Sequence, residues 1–213
     1  MTQNNWLNTL RKNRVIAVIR TSKMELARQM ANAVAAGGIR IIEITWNTDQ
    51  AAKLITLLRS ELPNCTIGTG TLLTLEELQK ALKIGCQFVF TPHTNPVMIQ
   101  TAKIATVPII PGALSPTEIV TAWQAGANCV KIYPVSAVGG TNYIKSLQRA
   151  LGEIPFIPTG GVTLENAKEF IEVGAIAVGL SGKLFPKKLI IAQDWEGITQ
   201  QTKLLVKQLS ENN

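Results

Sequence analysis

The chain has 213 residues, 46% of them hydrophobic, enough for a sizeable core in one large domain or two small ones. Its formal charge of +7 points to anionic partners, yet the basic residues are scattered, with only short clusters such as Arg11-Lys12-Arg14 and Lys187-Lys188, and aromatics make up just 5%. That distribution lacks the dense stripe of a nucleic-acid surface and favours a small anionic substrate.

In chain order, the opening MTQNNWLNTLRKNR has no apolar stretch ahead of a cleavage site, and no later run reaches bilayer length. Neither a secretory signal nor a membrane span is expected, which places the protein in the cytoplasm. The segment around Trp6 to Leu10 reads as an extra helix. VIAVIR from Val15 is the first β-rich run, closing on Arg20, and Ser22-x-x-Glu25 has the spacing of a capping box for the helix after it. Gly37 stands where a left-handed helix end is wanted. IRIIEIT from Ile39 follows; alternation puts Ile39, Ile41, Glu43 and Thr45 on one face and Ile42 and Ile44 on the other.

CTIGTG from Cys65 is the third run. Its Gly68-Thr69-Gly70 lacks the third glycine of a dinucleotide fingerprint. A second capping box, Thr74-x-x-Glu77, and Gly85 bracket the next helix, and QFVFTP begins at Gln87. VPIIPG from Val107 precedes a third box, Ser115-x-x-Glu118, with Pro116 at the first helical position. After Gly126 comes NCVKIYP from Asn128, then PFIPTGG from Pro155, and after Gly174 the eighth run, AIAVGL from Ala175. Cys65, Cys86 and Cys129 form no CxxC pair, lie in apolar segments and read as reduced core residues.

Eight runs starting 20 to 27 residues apart, mostly continuous in apolar character and each followed by a helical stretch, describe parallel strands covered on both faces. The expected fold is an α/β (β/α)8 TIM barrel with an extra N-terminal helix, one domain over residues 1–213. An open doubly wound sheet is the weaker alternative, for want of a fingerprint loop. Chemistry in such a barrel sits at the C-terminal strand ends.

Lys131 shares a strand face with Cys129 and Tyr133, opposite Val130 and Ile132, so it and Glu43 both point to the barrel interior. A buried pair of this kind can be a structural ion pair, although such pairs stabilise weakly. The other reading is chemical. A lysine desolvated among apolar neighbours loses its proton more easily and can attack a carbonyl, and a buried carboxyl with a raised pKa can shuttle protons. Gly160-Gly161 before Thr163 and a helix, and Ser181-Gly182-Lys183 after the eighth strand, are two glycine-rich loops suited to a phosphate. Thr69 or Thr71 can meet a carboxylate or carbonyl oxygen, or serve as a cap; Arg20 can hold a carboxylate or lie in solvent. His93 is the only histidine and no compact His/Asp/Glu cluster accompanies it, so no metal and no cofactor are expected.

These segments resemble a known family. AGGIRIIEIT, IGTGTL, FTPHTNP, IPGALSPTE, VKIYPVSAVGG, PTGGVTLEN and VGLSGKL, in this order, are similar to the class I 2-keto-3-deoxy-6-phosphogluconate / 4-hydroxy-2-oxoglutarate (KDPG/KHG) aldolases. The resemblance implies a Schiff base of Lys131 with pyruvate, Glu43 as acid–base residue and Thr71 beside the pyruvyl carboxylate. It also implies phosphate binding at Gly160, Gly161 and Ser181, where Gly182 adjoins, and a homotrimer. The implied reaction cleaves 2-keto-3-deoxy-6-phosphogluconate to pyruvate and glyceraldehyde 3-phosphate.

The chain departs from the pattern in places. Asn47 stands where the phosphogluconate branch has a substrate-holding arginine; with Arg20, it is similar to the 2-keto-3-deoxy-6-phosphogalactonate aldolases. Thr159 follows the phosphogluconate pattern and is placed for a sugar hydroxyl, and His93 replaces a common glycine. Three alternatives therefore accompany the phosphogluconate reading: the galactonate epimer, unphosphorylated 4-hydroxy-2-oxoglutarate, and a non-catalytic barrel that binds a sugar phosphate.

Overall fold

The computed structural model describes residues 3–210 of the chain. Helix α1 (Gln3–Asn13) leads into strand β1 (Val15–Ile19), and strands and helices then alternate: α2 (Met24–Ala36), β2 (Ile41–Thr45), α3 (Ala51–Glu61), β3 (Thr66–Gly70), α4 (Leu75–Lys83) and β4 (Val89–Phe90). Next come α5 (Pro96–Ile104), β5 (Ile109–Ile110), β6 (Gly112–Ala113), α6 (Pro116–Gln124), β7 (Val130–Ile132), a 3-10 turn over Val135–Val138 and α7 (Thr141–Leu151). The chain closes with β8 (Phe156–Pro158), α8 (Ala167–Glu172), β9 (Val178–Leu180), α9 (Lys187–Ile191) and α10 (Trp195–Ser210).

All eight apolar runs become strands, and every pairing is parallel. The result is a curled parallel sheet in two segments, ordered β5-β4-β3-β2-β1-β9 and β6-β7-β8. The fifth run is split between them at Pro111, a residue with no N–H to give a ladder. On the far side, a bridge between Thr159 and Gly179 and a bond from the Ile176 N–H to the Phe156 carbonyl (3.0 Å) connect β8 to β9.

The short strands sort their side chains by period two. Ile16, Ile41, Phe90, Cys129 and Ile157 gather in one inner cluster, while Ala17, Ile42, Ile67, Val89 and Val130 face the helices. Ile39 does not share the inner face with Glu43. It precedes β2, in the turn where its N–H bonds the Val34 carbonyl (3.0 Å), and alternation holds only inside the strand. The inner cluster is capped by α1: Trp6 and Leu10 are fully buried there, and the Trp6 ring stacks on Phe88 with centroids 5.0 Å apart.

Two of the three expected capping boxes form. The Thr74 and Ser115 hydroxyls accept the Glu77 and Glu118 N–H groups, and each glutamate reaches back to the cap's own N–H. The Ser22 box does not form. Helix α2 starts at Met24 behind an extended Lys23, which puts Glu25 one position too early to reach Ser22. Gly85, Gly126 and Gly174 take the left-handed conformation, but Gly37 is helical (φ −75°) and its neighbour Gly38 (φ +100°) makes the turn. Gly37 instead leaves room for Thr202 of α10 to lie against α2.

Candidate active site

A cavity of about 510 Å³ opens at the C-terminal ends of β1, β7, β8 and β9. Lys131 and Tyr133 line one side of it, Val18 and Arg20 another, and the loops after β8 and β9 complete it. Lys131 projects inward from the middle of β7, between outward-facing Val130 and Ile132, and is 6% exposed. Its Nζ lies 5.5 Å from the Phe90 ring centroid and 4.8 Å from that of Tyr133. Burial pushes the ammonium below the usual lysine range; the Glu43 charge opposes that shift and the Arg20 charge adds to it.

Glu43, on β2, is 1% exposed, and its Oε1 has no hydrogen-bond partner. Burial pushes this carboxyl above the usual range, while the charges of Lys131 and Arg20 pull it back. The ion pairs among the described residues are Arg28–Glu25, Arg28–Glu61 and Lys80–Glu76, so Lys131 and Glu43 are not a structural ion pair. Each is biased towards its neutral form, the state in which an amine attacks and a carboxyl donates.

Arg20 follows β1 on the exposed rim, and its Nη2 donates to the Thr71 Oγ1 at 3.3 Å. Thr71 holds a left-handed backbone (φ 63°), an uncommon state for a β-branched residue. The two residues read as carboxylate contacts are thus brought together. Thr69, the other candidate, spends its hydroxyl on the Ile44 carbonyl at 2.7 Å. Asn47 lies exposed in the turn after β2, outside the cavity lining, and His93 is also outside it.

Thr159 is 7% exposed at the end of β8, and a Cβ on Gly179 would meet its Oγ1 at 2.5 Å. Beyond it, Gly160 (φ +78°) and Gly161 (φ +100°) turn the chain against the 3-10 segment, where a Cβ on Gly161 would strike Ser136. The expected helix N-terminus does not follow directly: α8 starts only at Ala167. Asn166 holds the loop instead, accepting the Thr163 N–H (2.7 Å) and donating to the Gly161 carbonyl (3.2 Å). Ser181, Gly182 and Lys183 face this loop across the cavity. Among the described residues, the N–H groups of Gly161, Val162 and Gly182 donate to no protein acceptor, leaving them free for an anion. No three His, Cys, Asp or Glu side chains among those residues gather in a metal-binding group.

One of the two aromatic contacts to Lys131 escaped the sequence. Tyr133 is visible as a neighbour of Lys131 on its strand face, but Phe90 reaches Lys131 from a strand that is not its sheet neighbour, and no local signal marks that.

A buried amine lining a cavity walled by free N–H groups, with a buried carboxyl outside that lining whose charge acts on it, equips an enzyme that works through an amine. Comparison with known proteins narrows this. The family of KDPG and KHG aldolases matches residues 7–201. The 2-dehydro-3-deoxy-phosphogluconate aldolase of Treponema pallidum is 36% identical over 200 residues, covering 92% of this chain and 95% of that protein. The corresponding protein of Haemophilus influenzae is 33% identical, covering 90% and 91%. A native KDPGal structure superposes with TM-score 0.84 at 32% identity, over 92% of this chain and 94% of its own. A Legionella pneumophila KDPG aldolase with pyruvate captured at low pH as a covalent carbinolamine intermediate gives TM-score 0.85 at 28% identity, over 93% and 97%. The chain belongs to the KDPG and KHG aldolase family.

Proposed function

We propose that this aldolase cleaves 2-keto-3-deoxy-6-phosphogluconate to pyruvate and glyceraldehyde 3-phosphate through an imine on Lys131. The observation that carries the reading is the Lys131 amine, desolvated at the inner end of the cavity with Glu43 beside it and no ion pair holding it charged. The neutral amine attacks the C2 carbonyl; the Glu43 carboxyl then gives its proton to the carbinolamine hydroxyl, which leaves as water to give the iminium and a Glu43 carboxylate. Glu43 takes the C4 hydroxyl proton as the C3–C4 bond breaks, its electron pair passing to C3 to form the enamine while the aldehyde departs. A proton returned to C3 and hydrolysis of the imine release pyruvate and regenerate the amine. Phe90 and Tyr133 face the cationic iminium with their ring π-clouds.

In this reading Arg20 and Thr71 hold the carboxylate, and Thr159 meets a sugar hydroxyl. Gly160, Gly161, Ser181 and Gly182 receive the phosphate. Borohydride reduction in the presence of pyruvate, followed by peptide mass spectrometry, tests the mechanism: a reduced pyruvyl adduct on Lys131 is expected, and a folded protein with no adduct overturns it.

A second reading, cleavage of the galactonate epimer, is favoured by the pairing of Asn47 with Arg20 in the sequence and by the likeness to the KDPGal structure. The ratio of kcat/KM for the two epimers decides between them. Free loop N–H groups speak for a phosphorylated substrate over 4-hydroxy-2-oxoglutarate, and the Lys131–Glu43 arrangement speaks for a catalyst over a binding barrel.

We further propose that the two sheet segments act as one (β/α)8 barrel and one domain. The Thr159–Gly179 bridge and a helix-side core running from Val15 to Leu209 support this. A homotrimer in the cytoplasm completes the proposal. The absence of any helix long and apolar enough to cross a membrane among the described residues is compatible with that location.

A further inference from the structure

Strand β3 carries two glycines, and neither takes a left-handed backbone. A glycine inside a strand marks a close approach. For Gly68 the approaching group is Phe88, whose carbonyl oxygen and ring edge occupy the space a side chain would need. Gly70 is different. The three atoms nearest to a Cβ built there all belong to Glu43: Oε1, Cδ and, at 3.1 Å, Cγ.

From this we infer that Gly70 is a positioning residue for Glu43: the space of its missing side chain is the seat of the carboxylate. Strands β2 and β3 pair over five residues, with Thr45 opposite Gly70, and the Trp46 N–H bonds the Gly70 carbonyl at 2.7 Å. The backbone at Gly70 is therefore fixed. An added methyl group displaces the only movable thing in reach, the end of the Glu43 side chain. No hydrogen bond holds Oε1 in place, so the space left at Gly70 is what seats that oxygen.

The inference rests on the reading of Glu43 as the proton shuttle, and its test keeps the two apart. A displacement of about 1 Å at a reacting group costs on the order of 10²-fold in rate. Deuterium uptake into the methyl group of pyruvate in D2O, followed by NMR, reads the step in which Glu43 takes a proton from the imine and electrons flow into the enamine. Gly70→Ala is expected to keep the full end-point yield of borohydride-trapped Lys131 adduct while deuterium uptake and cleavage fall about 10²-fold. Glu43→Gln should show a comparable loss. If Glu43→Gln exchanges at the parent rate, the catalytic reading of Glu43 fails. If Glu43→Gln loses exchange and Gly70→Ala keeps it, the positioning role fails.

Glu43→Asp supplies the rescue, because a side chain one methylene shorter clears the new methyl. In that background Gly70→Ala is expected to change exchange by less than about threefold, the loss then no longer tracking a 10²-fold misplacement. Should Gly70→Ala not fold by itself, restored folding in the double variant supports the contact, and an unfolded double variant overturns it.

Discussion

Replacing Lys131 by methionine removes the amine but keeps an unbranched side chain, so it separates what this residue does for chemistry from what it costs the fold. Cleavage should fall to background. Stability should move the other way. Lys131 is 6% exposed and has no ion pair. Burying its charge costs several kcal/mol, and the rings of Phe90 and Tyr133 return about 1–2 kcal/mol of that. Lys131→Met is therefore expected to gain about 1–3 kcal/mol at pH 5, with roughly 2–4 °C of Tm for each kcal/mol in a chain of this size.

The sign with pH follows from the direction of each shift. Lys131 has a lowered pKa in the fold, so its share of stability is present above the lysine reference of 10.5 and is lost as pH falls through the folded value. The parent thus carries more of the penalty the lower the pH, and the variant carries none. Glu43, whose folded pKa is raised, contributes stability that is present below 4.5 and lost as pH rises through the folded value. The variant removes the Lys131 charge that pulls Glu43 down, which makes that loss larger. The advantage of Lys131→Met must therefore shrink as pH rises. Urea titrations from pH 5 to 9, read by tryptophan fluorescence at fixed protein concentration, measure it. A variant less stable than the parent at pH 5, or one whose advantage grows with pH, would refute the reasoning.

Three further outcomes are expected. Gly161→Ala forces a side chain into the left-handed region and against Ser136, so stability should drop on the order of 1–3 kcal/mol and KM for the phosphorylated substrate should rise at least about tenfold; an unchanged KM contradicts the phosphate assignment. Ser115→Ala removes half of the α6 capping box and should lower the urea-derived stability by about 1 kcal/mol with no change in kcat/KM. The Cys86 and Cys129 thiols are pushed up to about 12 by burial, so an aromatic disulfide reagent at pH 8 should modify them only as fast as the protein unfolds. Rapid modification of either in the native protein would count against their burial.

What could be read in advance follows the range of the forces involved. Parallel strands buried on both faces leave continuous apolar runs, and all eight were visible for that reason. The inward direction of Lys131 and Glu43 came from alternation within single strands. That rule ends where the strand ends, which is why it misassigned Ile39 and gave no direction for Asn47. The capping boxes at Thr74 and Ser115 are local and form; the same spacing at Ser22 fails because the helix starts one residue late, at Met24. Gly70 and Phe90 act across strands. Their neighbours are set by register and by the curl of the sheet, which no short stretch of sequence encodes.

The stacked rings at the foot of the inner cluster have a consequence for traffic. Trp6 lies on Phe88, Phe88 meets Phe90 edge-on with centroids 5.7 Å apart, and Phe90 reaches Lys131. In the proposed reaction, with that end stoppered, a split substrate leaves its two halves in a vessel with one mouth, the inner half still tethered to the lysine. The phosphorylated half, nearer the exit, must go first. The order of product departure is then a matter of plumbing, fixed by an aromatic plug behind the lysine.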